Sequence, residues 1–148
     1  MSLRDGKKKM SKSEDSDQSR INLKDEKDLI DQKIKKAKTD NDPIPSEVDG
    51  LKNRHEAKNL ISVYASINGI KIEKVLKEFG GKNFSTFKSK LSESIIEKIC
   101  PIGSEIKKLL KDKNYLNNIL LKGAKKADLI AKTNLKEIYD IIGLTKFT

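Results

Sequence analysis

From Arg54 to the end of the chain, apolar side chains recur every three or four residues and never settle into strict alternation. That period places them on one face of successive helices, so it restricts the fold to helices packed through single apolar stripes. Ala57, Leu60, Ile61, Tyr64 and Ile67 form a first stripe, stopped at Gly69. Ile72, Val75, Leu76 and Phe79 form a second, ended by Gly80-Gly81. Phe84, Phe87, Leu91, Ile95 and Ile99 form a third, which Pro101 should kink or end because its ring clashes with the carbonyl four residues back. Past Gly103 the period resumes through Ile106, Leu109 and Leu110, then Leu116 to Ile130, then Leu135 to Ile142. It predicts two or three more helices with Gly143 as the last C-cap. Gly123 lies inside a stripe at a cost of about 1 kcal/mol against alanine, which points to a close helix contact.

An earlier helix begins after Asn22 or Asp25, carries Leu29, Ile30, Ile34 and Ala37 on one face, and stops by Asp40. The segment from Thr39 to Gly50 holds Pro43, Pro45 and Gly50 and reads as a loop. The first twenty residues have few apolar side chains, with a turn at Asp5-Gly6, a basic run at Lys7-Lys8-Lys9 and a hydroxyl and acid stretch from Ser11 to Ser19. Only Met1 to Arg4 could form a strand, too short to stand alone. The expected fold is an all-α bundle preceded by a mobile polar arm, divided into residues 1–22 and 23–148. Residues 1–20 should be mobile or irregular, because their polar backbone has nothing to pack on.

The chain has 148 residues, 35% hydrophobic and 36% charged, which leaves a thin core under a dense charged surface. The net charge of +10 favours a polyanionic partner. The excess is carried by lysine, since arginine occurs only at positions 4, 20 and 54, so phosphate attraction is better supported than bidentate base reading. Lys107, Lys108, Lys111, Lys122, Lys125 and Lys126 are candidates for following a nucleic-acid phosphate backbone, and a solvated helix face is their plainer reading. Cys100, the one cysteine, cannot form an internal disulfide and reads as a core residue in a reducing compartment. His55 stands at a helix entrance with no nucleophile spaced to pair with it. Tyr64, Phe79, Phe84 and Phe87 lie on stripes and read as core. No metal-ligand spacing is present, so no metal is expected. No apolar run approaches the roughly 20 residues that cross a bilayer. A soluble, cytoplasmic protein without membrane or DNA partners is expected.

Lys9-Met10-Ser11-Lys12-Ser13 is the stretch whose order suits chemistry. Two ammonium groups three residues apart flank small hydroxyls in a polar loop, which can close over phosphates and reopen. Where pyrophosphate leaves ATP, negative charge grows on the α-phosphate and the leaving group, and a positioned lysine stabilises it without proton transfer. The competing reading is a solvated basic tail.

The pentapeptide is identical to the KMSKS signature of class I aminoacyl-tRNA synthetases. Its flanks, Met1 to Gly6, Glu14 to Asp17 and Ser19 to Leu23, with Lys33 to Asp40, Asn59-Leu60, Glu78 to Gly81, Phe84 to Lys88 and Ile142-Gly143-Leu144, resemble the tryptophanyl members of that family. The resemblance implies that residues 1–22 are the KMSKS loop left over from a Rossmann catalytic domain. It implies that residues 23–148 are a helical tRNA anticodon-binding domain. Carried over by position, Lys9, Met10, Ser11, Lys12 and Ser13 would bind ATP, with Mg2+ carried by the nucleotide, and Lys12 would be the catalytic group. The implied partners are tRNA(Trp) and either a second copy in a homodimer or a separate N-terminal catalytic fragment. Glu14 replaces the aspartate expected from the family. The family's second signature, an HLGN-like variant of HIGH, has no counterpart in the 148 residues, and Met1 aligns with an internal methionine. The chain therefore reads as truncated, split or internally started, and as inactive alone. Two alternatives stay open: a stand-alone basic RNA-binding module, and the corresponding part of a tyrosyl-tRNA synthetase.

Overall fold

The computed structural model describes residues 1–143, and among these residues it holds five α-helices and no strand. They are α1 (Lys27–Lys35), α2 (His55–Asn68), α3 (Ile72–Phe79), α4 (Phe84–Lys111) and α5 (Lys113–Ile142). The all-α expectation holds. Residues 144–148, including Leu144 of the matched ending, lie outside the described residues.

The helix starts and stops follow local chemistry. Gly69 ends α2 at φ 63°, a left-handed conformation that glycine adopts without Cβ strain. Gly143 does the same for α5 at φ 71°. α1 starts later than Asp25, because that carboxylate does not cap it. Asp25 accepts instead from the Asn22 main-chain N–H at 2.9 Å and from Lys33 Nζ at 2.7 Å. α4 runs through Pro101 without ending there. The break comes at Asp112, whose carboxylate accepts from the Tyr115 N–H at 2.9 Å and so caps α5. The two or three helices expected past Gly103 are therefore the tail of α4 and one helix of 30 residues.

The chain divides into two compact units, Met1–Ile106 and Lys107–Thr148. Every buried apolar residue among the described ones belongs to the first. Ile30 and Ile34 of α1, Ile61 of α2, Val75 of α3, and Phe87 and Leu91 of α4 have no exposed surface. Tyr64, Phe79, Phe84 and Phe87 form a ring cluster with centroids 5.1–6.2 Å apart, as core rather than surface groups. Cys100 packs half-buried against this core. In the second unit α5 buries no residue. The stripe expected to be core there is open, with Leu120 69%, Ile130 66% and Ile141 83% exposed. Among the described residues of that unit, α5 is accompanied by the last residues of α4. Among the described residues nothing lies within 4 Å of a Cβ built on Gly123, so they do not supply the expected close contact.

Residues 1–20 are irregular apart from a 3-10 turn at Asp17–Ser19. The expectation that they have nothing to pack on is corrected. Ser2, Leu3 and Ser19 are buried. The Leu3 N–H donates to the Ser19 carbonyl at 2.8 Å, the Lys38 N–H donates to the Leu3 carbonyl at 2.8 Å, and Asn59 Nδ2 donates to the Ser2 carbonyl at 3.0 Å. Pairing these backbone groups meets the requirement that buried main-chain polar atoms be satisfied, so both ends of the arm are tied to the helical core.

Candidate functional site

Between its anchored ends the arm exposes the pentapeptide. Lys9, Met10, Ser11, Lys12 and Ser13 are all exposed, and Lys12-Ser13 form a turn in which the Ser13 N–H donates to Ser11 Oγ at 3.2 Å. Among the described residues neither Lys9 nor Lys12 has an ion-pair or side-chain hydrogen-bond partner. Met10, Ser11 and Lys12 share a groove of about 480 Å³ with Arg20 to Lys24 and Ile106. Two unpaired ammonium groups and two small hydroxyls on such a surface suit a polyphosphate, because each cation can meet an anion without breaking an existing pair.

A buried charge network stands behind this turn. Lys33 is wholly buried in α1, and its ammonium donates to Asp17 Oδ2 at 2.6 Å and to Asp25 Oδ2 at 2.7 Å. The Lys33 hydrogen bond, helped by Asn22 and Arg20, holds the Asp17 carboxyl below its ordinary value. Arg20 pairs with Asp17 Oδ1 at 3.0 Å and donates to the carbonyls of Ser11 and Glu14. None of these residues stood out in the sequence as a site. A signal was present: positions 30, 33, 34 and 37 follow the i, i+3, i+4, i+7 template of an apolar face, and a lysine occupies the second of them. A lysine on a buried stripe requires a carboxylate partner.

The other sequence candidates lie elsewhere. Lys107, Lys108 and Lys111 are near the C-terminal end of α4 and Lys122, Lys125 and Lys126 on α5, all six exposed and all in the second unit. The spacing of the α5 trio, i, i+3 and i+4, puts it on one helix face. His55 is an exposed first residue of α2. No group of three His, Cys, Asp or Glu residues that could hold a metal occurs among the described residues. No helix among them is long and apolar enough to cross a membrane.

Residues 1–99 match the family model described as tRNA synthetases class I (W and Y). The chain is 50% identical over 144 residues to a tryptophan-tRNA ligase of Mesorhizobium japonicum, with 97% of this chain and 41% of the relative covered. It is 50% identical over 146 residues to that of Agrobacterium fabrum, with 99% and 41% covered. A crystal structure of tryptophanyl-tRNA synthetase from Mycoplasma pneumoniae matches with a TM-score of 0.72 at 25% identity, over 99% of this chain and 45% of that one. The chain thus spans about two fifths of the length of these curated relatives.

Proposed function

The chain belongs to the class I tRNA synthetases for tryptophan and tyrosine, and from that premise we propose that it supplies the ATP loop and tRNA-facing helices of a tryptophan-tRNA ligase. The tryptophan assignment follows the named relatives, two of which are 50% identical over nearly all of this chain. The observation that carries the catalytic part is the exposed, unpaired state of Lys9 and Lys12 in a loop whose two ends are fixed to the core.

In this reading residues 1–22 hold the phosphates of ATP and residues 23–148 face the tRNA. The reaction joins a carboxylate oxygen of tryptophan to the α-phosphorus as pyrophosphate departs. Lys12 stabilises the charge that grows during that step, and Lys9 with the Ser11 and Ser13 hydroxyls holds the phosphates in the ground state. Lys107, Lys108, Lys111, Lys122, Lys125 and Lys126 draw the tRNA backbone by releasing its counterions.

The test uses a fusion in which the N-terminal part of the Mesorhizobium japonicum ligase precedes these 148 residues. Lys12→Ala should lower single-turnover adenylation by roughly 10²- to 10³-fold with little change in ATP affinity, because the interaction is made mainly in the transition state. Lys7→Ala, outside the pentapeptide, should cost little. Equal effects of the two at fixed ionic strength would return the loop to a solvated basic tail.

A further inference from the structure

We propose that Arg20 is a positioning residue for the pentapeptide loop, held by Asp17 and the buried Lys33, and that it sets where Lys12 stands during adenylation. The functional half of this rests on the ATP-loop reading above. The structural half rests on a chain of contacts that starts in the core and ends on the loop backbone.

α1 is fixed by Ile30 and Ile34, both without exposed surface. Lys33 sits between them in sequence, and a buried ammonium cannot leave its carboxylates without a large desolvation cost. Asp17 therefore has one oxygen committed to Lys33 at 2.6 Å, and its other oxygen accepts from Asn22 Nδ2 at 2.9 Å and Arg20 Nη2 at 3.0 Å. The guanidinium, with its side chain 16% exposed, turns its second nitrogen to the loop. Arg20 Nη1 donates to the carbonyls of Ser11, at 3.2 Å, and Glu14, at 3.0 Å. Those two carbonyls bracket Lys12-Ser13, so the turn is drawn closed on its backbone while its side chains stay outside. Of the apolar side chains only Met10 belongs to this stretch, and it leans on the groove of Ile21, Leu23 and Ile106 while the turn itself, Lys12-Ser13, is exposed.

The arrangement needs a planar fork. One nitrogen meets the carboxylate and the other meets both carbonyls, which the single nitrogen of a lysine cannot do from one position. A loop lysine that is no longer held samples positions away from the reacting phosphate, and a displacement near 1 Å can cost about 100-fold in rate.

Two measurements test the proposal. In the fusion described above, Arg20→Ala should slow single-turnover adenylation at least about 10-fold with ATP KM nearly unchanged, and Arg20→Lys should not restore it. Because Arg20 acts through Lys12, Lys12→Ala combined with Arg20→Ala should be no slower than Lys12→Ala alone. A merely structural role would instead multiply the two losses. Slowing by Lys12→Ala without slowing by Arg20→Ala overturns the positioning role, as does restoration by Arg20→Lys. If Lys12→Ala itself has no effect, the ATP-loop reading fails, and the latch is then judged on the 148-residue chain alone. There, trypsin should cut after Lys12 several-fold faster in both Arg20→Ala and Arg20→Lys than in the parent. Equal cleavage rates overturn the latch whatever the fusion does.

Discussion

The two long helices of this chain carry similar stripes and meet opposite surroundings. α4, with 28 residues, buries Phe84, Phe87, Leu91 and Ile95 against α2 and α3 residues of the first unit, while α5, with 30 residues, buries nothing. Their apolar positions recur at the same spacing, and both alternate with lysines. A 3.6-residue period thus specifies a face and leaves open whether anything covers it. None of the described residues of α5 is buried, so its helicity rests on propensity, its Asp112 cap and its Gly143 end.

The sharpest way to break this contrast is to truncate one residue in each helix. Phe87→Ala removes the ring at the centre of the aromatic cluster and should cost about 3–5 kcal/mol in urea unfolding, whereas Ile130→Ala should change stability by less than about 0.5 kcal/mol. Comparable losses at the two sites would mean that the α5 stripe is covered in solution. Next in size is Lys33→Met, which strands the buried Asp25 carboxylate. It should cost about 3 kcal/mol by the same measurement, toward the low end for a broken buried pair because Asp17 is half exposed.

A pair of glycines sharpens the comparison further. A Cβ at Gly103 of α4 would lie 2.5 Å from the Leu23 carbonyl oxygen, so Gly103→Ala should destabilise by about 1–3 kcal/mol. Gly123 of α5 meets nothing, so Gly123→Ala should stabilise its helix by up to about 1 kcal/mol, seen as higher helical circular dichroism on heating. Opposite signs for the same substitution would locate the packed part of the chain directly.

The smallest effects are electrostatic. Asp40 is held below its ordinary value of 3.8 first by its hydrogen bond to Arg54, as Asp17 is by Lys33. A carboxyl whose folded pKa is depressed contributes stability above its unfolded pKa and loses it as pH falls through the folded one. The melting temperature should therefore drop on acidification below about 3.8, and Asp40→Asn should flatten part of that drop. In α5, Asp128 pairs with Lys132 while both are well exposed, and Asp128→Asn should leave the profile unchanged.

Much of the first unit was legible from local rules. The stripes of α2 and α3 and the glycine stops at Gly69 and Gly80-Gly81 match the structure because each depends on neighbours within a turn or two. The start of α1 was not legible. Asp25 has the chemistry of a cap and is diverted by Lys33, eight positions later, and nothing local ranks those two uses of one carboxylate. Pro101 was misleading for a related reason: a helix packed on both sides of a proline can tolerate one missing N–H, and the stop lies at Asp112, where a cap begins the next helix. At the candidate site, the pentapeptide was visible by its residues alone, whereas Arg20 was not, since its partners at Ser11, Glu14 and Asp17 are main-chain and side-chain atoms brought together only by the turn.

By itself, then, the sequence determined the all-helical class and most helix ends, and it singled out the pentapeptide as the candidate loop, because periodicity, capping and side-chain chemistry act over a few residues. Tertiary structure decided which stripes became core, that the N-terminal arm is tied down through Ser2, Leu3 and Ser19, and that Lys33 is buried behind the loop. These depend on the separations of 16 between Asp17 and Lys33 and of 57 between Ser2 and Asn59. Contacts that distant are selected by the joint packing of several helices, a free-energy balance that no short stretch of sequence contains.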